Sequence, residues 1–405
     1  MSWPSILRRM SQVPSGGKRR SMLLAPAIAC LTVGLQAQQQ GPGSPPIELA
    51  KARELRTSHQ LAAAESLLRP YLAAHPNDVE ALLLLGQLRL DQGDQAEAEK
   101  TFITALATDP DSIAVNLALG DLLLSTHRNP EAMDRFETVL GTTRDNSDAR
   151  RGELAAATEL ALSARASGHP EVSLQVLQHA RAKLPDDPKL LLELGIQATE
   201  LFLYSEAEDD LNTARKLMPN DPGVLYALAR METERQHLQA AEADFRAYFV
   251  AQPNDASAHF GLGHILAMQQ RTEDARAEFE RSIQLQPVQT ESYYQLGQIE
   301  LEAHQDGKAG PLFRKALERD PKHGGALTGL GVLAFRAKDY SKAEEYLAAA
   351  EKTAPNYGPA HYYRGLALAH LGRKDEGEAE LREATKLGST NPSTEQVSPQ
   401  TQGIR

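Results

Sequence analysis

From about residue 45 the chain alternates two short apolar stripes of helical period with two polar breaks, and the pattern returns every 34 residues. Prolines mark the interval: Pro185, Pro219, Pro253, Pro287, Pro321 and Pro355 are each 34 residues apart, as are Pro76 and Pro110. In residues 290–321 the stripes are Tyr293, Tyr294, Leu296 and Gly297, then Ala309, Phe313, Ala316 and Leu317. Their i, i+3, i+4 spacing puts each set on one helix face. The unit is therefore predicted to be two antiparallel helices joined by a polar turn, with proline ending the second. One hairpin cannot bury both its faces, so neighbours must stack on it. Glycine recurs at the eighth position, as Gly86, Gly120, Gly195, Gly263, Gly297, Gly331 and Gly365. Each costs roughly 0.5–1 kcal/mol relative to Ala. Close helix approach, with the Ala of position twenty facing the glycine, is the expected reason.

The pattern resembles the tetratricopeptide repeat: Leu-Gly at seven and eight, Ala at twenty, Phe or Leu at twenty-four, Pro at thirty-two. Leu262, Gly263, Ala275, Phe279 and Pro287 carry it in one unit; Leu296, Gly297, Ala309, Phe313 and Pro321 carry it in the next. Ten units start near Pro45, Val79, Ile113, Ser147, Pro188, Pro222, Ala256, Thr290, Gly324 and Gly358. The resemblance implies an all-α fold, a right-handed superhelical solenoid of about ten helix-turn-helix repeats. The end units depart from the pattern, with Lys51-Ala52 in the first and Arg364 and Gly377 in the last, as suits caps that face water.

The fourth unit is longer. Pro185 comes 41 residues after Arg144, which stands where a proline is due, and the seven extra residues lie around 146–153. Seven residues are nearly two helical turns, so a lengthened first helix keeps its packing face with about 20° of drift. A longer loop is the other reading. Either divides the array into repeats one to three (47–146) and four to ten (147–388), with a bend possible at the join.

Residues 1–37 read as an export signal, with Arg8, Arg9, Lys18, Arg19 and Arg20 ahead of an apolar run at 22–35 and cleavage expected after Ala37. That run is shorter than the roughly 20 apolar residues of a membrane span. Arg19-Arg20-Ser21-Met22-Leu23-Leu24 resembles a twin-arginine signal, and Ala27-Ile28-Ala29-Cys30 loosely resembles a lipobox that would lipidate Cys30. Membrane contact is expected only through these features. Residues 38–46 (QQQGPGSPP) read as a flexible linker and 389–405 as a disordered tail. The expected place of work is periplasmic or extracellular.

Charge narrows the partners. The net charge is -11, but residues 1–37 hold five basic and no acidic residues, so 38–405 carry 38 basic and 54 acidic. Such a body repels phosphate backbones, which argues against nucleic acid. No catalytic constellation, cofactor loop or metal-ligand spacing is present: His259 and His264 are five apart, His361 and His370 nine apart. The acidic runs at 206–210 and 376–380 read as solvated helix faces. The chain is read as no enzyme.

What remains is a groove. By resemblance, the first helices of stacked repeats line a concave surface, and position five there holds Tyr226, Phe260, Tyr294 and Tyr362. Position nine holds Arg230, His264 and Gln298, and small Ala227 and Gly261 at position six would leave room for a ligand backbone. Aromatic rings with polar neighbours grip an extended peptide. The clamp that holds acidic chaperone C-termini is absent, because repeats two and three offer Leu83, Gln87, Leu117, Ala118 and Asp121 there. The sequence thus points to a protein-binding scaffold. The alternative is a structural subunit of an envelope machine, resembling periplasmic scaffolds of exopolysaccharide export.

Overall fold

The computed structural model describes residues 46–389, so the expected export signal with Cys30, most of the expected linker and the expected tail beyond Ser389 lie outside the described residues. Among the described residues every regular element is a helix, and the chain forms two compact units divided at Leu217/Met218. The first unit holds α1 (Ile47–Thr57), α2 (Leu61–Ala74), α3 (Val79–Asp91), α4 (Gln95–Thr108), α5 (Ile113–Ser125), α6 (Asn129–Thr142), α7 (Ser147–Ala166), α8 (Pro170–Arg181), α9 (Pro188–Glu200) and α10 (Tyr204–Leu217). The second holds α11 (Pro222–Glu234), α12 (Leu238–Ala251), α13 (Ala256–Met268), α14 (Thr272–Leu285), α15 (Thr290–Glu302), α16 (Asp306–Arg319), α17 (Gly324–Arg336), α18 (Tyr340–Thr353), α19 (Gly358–His370) and α20 (Lys374–Lys386). Odd and even helices pair as hairpins that match the predicted units.

Local chemistry sets the boundaries. Asp78, Asp187, Asp221 and Asp255 cap first helices by accepting backbone N–H bonds one turn on. Second helices α4, α12, α14, α16 and α18 end two residues before Pro110, Pro253, Pro287, Pro321 and Pro355. The residue between is extended, as at Asp109 (φ -132°) and Gln286 (φ -138°), because a proline disfavours helix in the residue before it.

The glycines have a different neighbour from the expected one. A Cβ built on Gly297 would lie 2.6 Å from the Phe313 ring, and on Gly120 2.7 Å from Phe136. The nearest side chain facing position eight is thus the aromatic or leucine of position twenty-four, while at Gly263 and Gly365 the position-twenty carbonyl also stands close, 3.3 and 2.9 Å from the Cβ position. The same rings also touch the next repeat: Phe313 fills the space over Gly329, and Phe136 that over Gly152. Each of these phenylalanines is fully buried between two glycines and ties one hairpin to the next.

The seven extra residues lengthen a helix. α7 runs 20 residues against 13 for most first helices, and its buried stripe continues unbroken through Ala149, Gly152, Glu153, Ala156, Ala157, Leu160, Ala161 and Ala164. One apolar core spans Leu82 to Leu194 and passes through the 146/147 join. The division between compact units falls later, after Leu217. Within each unit successive first helices approach one another, α3 with α5 and α5 with α7 in one, α15 with α17 and α17 with α19 in the other, so they form an inner layer. Arginines tie neighbouring repeats: Arg128 reaches back to Glu99 at 2.7 Å and Arg271 to Glu242 at 2.8 Å. Both pairs are partly exposed, so each contributes at most about 1 kcal/mol.

Candidate functional site

All seven groove residues fall on first helices of the second unit: Tyr226 and Arg230 on α11, Phe260 and His264 on α13, Tyr294 and Gln298 on α15, Tyr362 on α19. Their spacing of four, or one turn, places each ring beside its polar partner. The four rings are half-buried. Tyr226 stands edge-on to Phe245 at 5.8 Å, Phe260 is 5.8 Å from Phe279, and Tyr294 is 6.3 Å from Phe313. Each of these three rings therefore packs on the position-twenty-four phenylalanine of its own repeat. Tyr362 packs perpendicular to Tyr363 at 5.4 Å.

The polar groups divide by burial. Arg230 is exposed. Gln298 Nε2 donates to the Tyr294 hydroxyl at 2.9 Å, and the Tyr294 ring continues toward the next repeat, occupying the space over Gly325. His264 stacks near Phe260 at 6.3 Å, and burial holds its pKa below the ordinary value although Glu291 pulls the other way. Burial also raises the Tyr226 and Tyr294 hydroxyls, so both stay neutral at physiological pH. The row offers uncharged ring edges and hydrogen-bonding groups, with one exposed cation at Arg230.

The space expected at position six is not there. Ala227 is buried, and the Phe245 ring already occupies the place a Cβ on Gly261 would take, at 2.6 Å. Small residues at this position admit the preceding repeat's aromatic side chain.

Two acidic runs are only partly solvated. Asp210 is buried and paired with Arg181 at 2.7 Å. Glu380 joins a network at the join of α18, α19 and α20. Its Oε2 lies 2.6 Å from His361 Nδ1, while His361 Nε2 meets the Pro355 carbonyl at 2.9 Å. Arg364, in the seventh-position leucine's place, donates to Glu351 Oε2 at 2.5 Å, Glu380 Oε1 at 2.8 Å and Glu344 Oε1 at 3.1 Å. Burial disfavours a charged His361, but Glu380, the Pro355 carbonyl and Glu351 together hold its pKa above the ordinary value.

Three repeats earlier half of this network recurs. His259 Nδ1 meets Glu278 at 2.6 Å, and Nε2 meets the Pro253 carbonyl at 3.1 Å. Separations along the chain hide this likeness, because each histidine finds its glutamate 19 residues away on the facing helix. Position within the repeat reveals it: both histidines are fourth and both glutamates twenty-third.

The other unit holds a contrasting group. Glu153 on α7 is fully buried, and neither carboxylate oxygen has a hydrogen-bond partner. Burial, reinforced by Glu137 and Asp134 and opposed by Lys183, pushes its pKa up to about 9. Nearby Glu137 is engaged elsewhere, by His179 at 2.6 Å and Lys183 at 3.2 Å.

Two family models, both described as Tetratricopeptide repeat, match the chain, one over residues 49–113, 226–289 and 352–392 and the other over 89–157 and 300–369. Together they cover more than half of it. No curated protein sequence matches. Among solved structures, the MamA protein is 18% identical over 43% of this chain and 95% of its own, with a TM-score of 0.36. YrrB, titled a TPR protein with an unusual peptide-binding site, is 18% identical over 45% and 93%, at 0.37. Pseudomonas aeruginosa pilF is 16% identical over 50% and 93%, at 0.46.

Proposed function

Because the chain belongs to the tetratricopeptide repeat family, we propose that it is a non-enzymatic scaffold holding an extended segment of a partner protein along the inner helices of its second unit. The observation that carries this reading is the row Tyr226, Phe260 and Tyr294 on consecutive first helices, each half-exposed and each one turn from Arg230, His264 or Gln298. A segment laid across the row would bury the exposed parts of the rings and meet a polar group in each repeat. Its backbone would run above the position-six residues, not down onto them, since Phe245 fills the space at Gly261. The export signal read in residues 1–37 supports work in the cell envelope.

The rings also roof the core, so truncating them would confuse lost binding with lost folding. The cleaner test uses residues 38–405 as bait in a cross-linked pull-down from envelope extract, beside a bait carrying Arg230→Glu, His264→Ala and Gln298→Ala. A partner held by the native bait and lost by the triple variant supports the groove. Equal capture by both baits defeats it.

A second reading has its own observation. The turn between α9 and α10 exposes Phe202 (71%) and Leu203 (38%), with Phe202 at the positive-φ place that other hairpins fill with Gly, His, Gln or Lys. Such a turn suits docking by an edge, as in a machine subunit. A Phe202→Ser bait that loses partners the groove variant keeps would favour this reading.

A further inference from the structure

Three ligand atoms converge between α18, α19 and α20. They are Glu351 Oε1, Glu380 Oε2 and His361 Nδ1, which in the metal-free protein donates to Glu380, and all lie within 4.8 Å of one another. Each group is held from behind. The His361 Nε2–H donates to the Pro355 carbonyl, so in the neutral ring Nδ1 carries the free pair. Arg364 takes the far oxygen of each carboxylate, Oε2 of Glu351 and Oε1 of Glu380, leaving the near oxygens turned to the histidine. Oxygen Oε1 of Glu351 is buried and accepts no hydrogen bond, standing 3.4 Å from Nδ1.

The chain supplies its own control. Around His259 the same histidine–glutamate pair occurs, but the place of Glu351 is taken by Phe249, stacked on the imidazole at 4.3 Å, and the place of Arg364 by Leu262. That version is complete as a structural contact. The junction of repeats nine and ten exchanges the stacked ring for a carboxylate with an oxygen to spare, and the leucine for an arginine that orients it. Those two exchanges convert a hydrogen-bonded pair into a three-ligand set with outer partners, the arrangement that fixes metal-binding histidine and carboxylate groups.

We propose that His361, Glu351 and Glu380 bind a divalent transition-metal ion, with zinc as the ion that best fits one imidazole and two carboxylates. Tetrahedral zinc with bonds of about 2.0–2.2 Å needs ligand atoms roughly 3.3 Å apart. The Nδ1 to Glu351 distance of 3.4 Å meets this, and Glu380, now 2.6 Å away, moves back by about 0.7 Å. Water completes the shell. The proton on Nδ1 leaves to solvent as the ion enters, and Glu344, paired with Arg364, offsets the charge gained.

The test is calorimetric titration of residues 38–405 with zinc chloride after chelator treatment, with melting curves in parallel. One zinc per chain and a zinc-dependent rise in Tm are expected. Glu351→Gln, which keeps shape and removes the charge, should weaken binding at least tenfold and abolish the rise. His259→Ala should change neither. Absence of saturable binding, or equal affinity in Glu351→Gln, overturns the assignment.

Discussion

Two charged residues stand where the repeat places its seventh-position leucine, and the fold treats them in opposite ways. Glu153 occupies that place in the added turns of α7, is fully buried, and has no partner for either oxygen. Arg364 occupies it in α19 and is gripped by Glu344, Glu351 and Glu380. The difference lies in what the adjoining helices supply. α18 and α20 present carboxylates to Arg364, whereas Lys183, the cation that opposes the shift of Glu153, stands just after α8 and is already engaged by Glu137. A charge on the apolar stripe is tolerated through its partners or through neutralisation, and the repeat register decides neither.

The largest effect should come from removing the arginine. In metal-free protein, Arg364→Leu restores the repeat's own residue yet leaves Glu351 and Glu380, both half-buried, with one cation fewer. Stripping one member from a fully buried ion network costs about 3–5 kcal/mol, and this half-buried one should lose about 3 kcal/mol. Adding Glu351→Phe copies the arrangement around His259 and should recover most of the loss, leaving Glu380 paired as Glu278 is. Denaturant midpoints for the two variants decide the matter. A single variant as stable as the native chain would mean that water, not Arg364, solvates these carboxylates.

Glu153→Gln should do the reverse and stabilise the first unit. The folded pKa of about 9 stands above the ordinary glutamate value of 4.5, so folding favours the protonated acid. Stability from this group is complete below about pH 4.5 and declines as pH rises toward 9, because the unfolded chain ionises first. At pH 7 the deficit is on the order of 3 kcal/mol. The amide mimics the neutral acid, so the variant's advantage should be near zero at pH 4 and grow steadily to pH 8. Melting curves across that range test it, and a pH-independent difference would show that Glu153 does not titrate in the fold.

These contrasts explain what the sequence could reveal. Hairpins, their ends and the stack were legible because each rests on local signals repeated every 34 residues: Asp before a first helix, Pro after a second, Gly and Phe at fixed places. The seven added residues around Glu153 were readable as helix or loop; the unbroken buried stripe of α7 decides for helix. The placement of the rings was legible, since register alone puts Tyr226, Phe260 and Tyr294 at the same position of successive first helices. The depth beside them was not, because the space at Gly261 is filled by Phe245 from the preceding repeat. The ion network stayed hidden for a similar reason: Arg364 finds Glu351 and Glu380 at separations of 13 and 16 residues on two other helices.

The smallest expected effect tests the same lesson without charge. Gly297 and Gly307 belong to one repeat, yet a Cβ on Gly297 would meet the Phe313 ring at 2.6 Å while one on Gly307 meets nothing within 4 Å. The ring cannot retreat, because its other side is packed onto Gly329 at 2.5 Å from that residue's Cβ position. Gly297→Ala should therefore destabilise by about 1–3 kcal/mol through overpacking. Gly307→Ala, near the start of α16, should stabilise by a few tenths to about 1 kcal/mol by lowering the entropy of the unfolded chain. Opposite signs in chemical denaturation would show that the facing side chain, rather than helical position, governs what each place accepts. Equal small gains would mean that Phe313 yields, and that the glycine–phenylalanine contact does not hold the hairpins together.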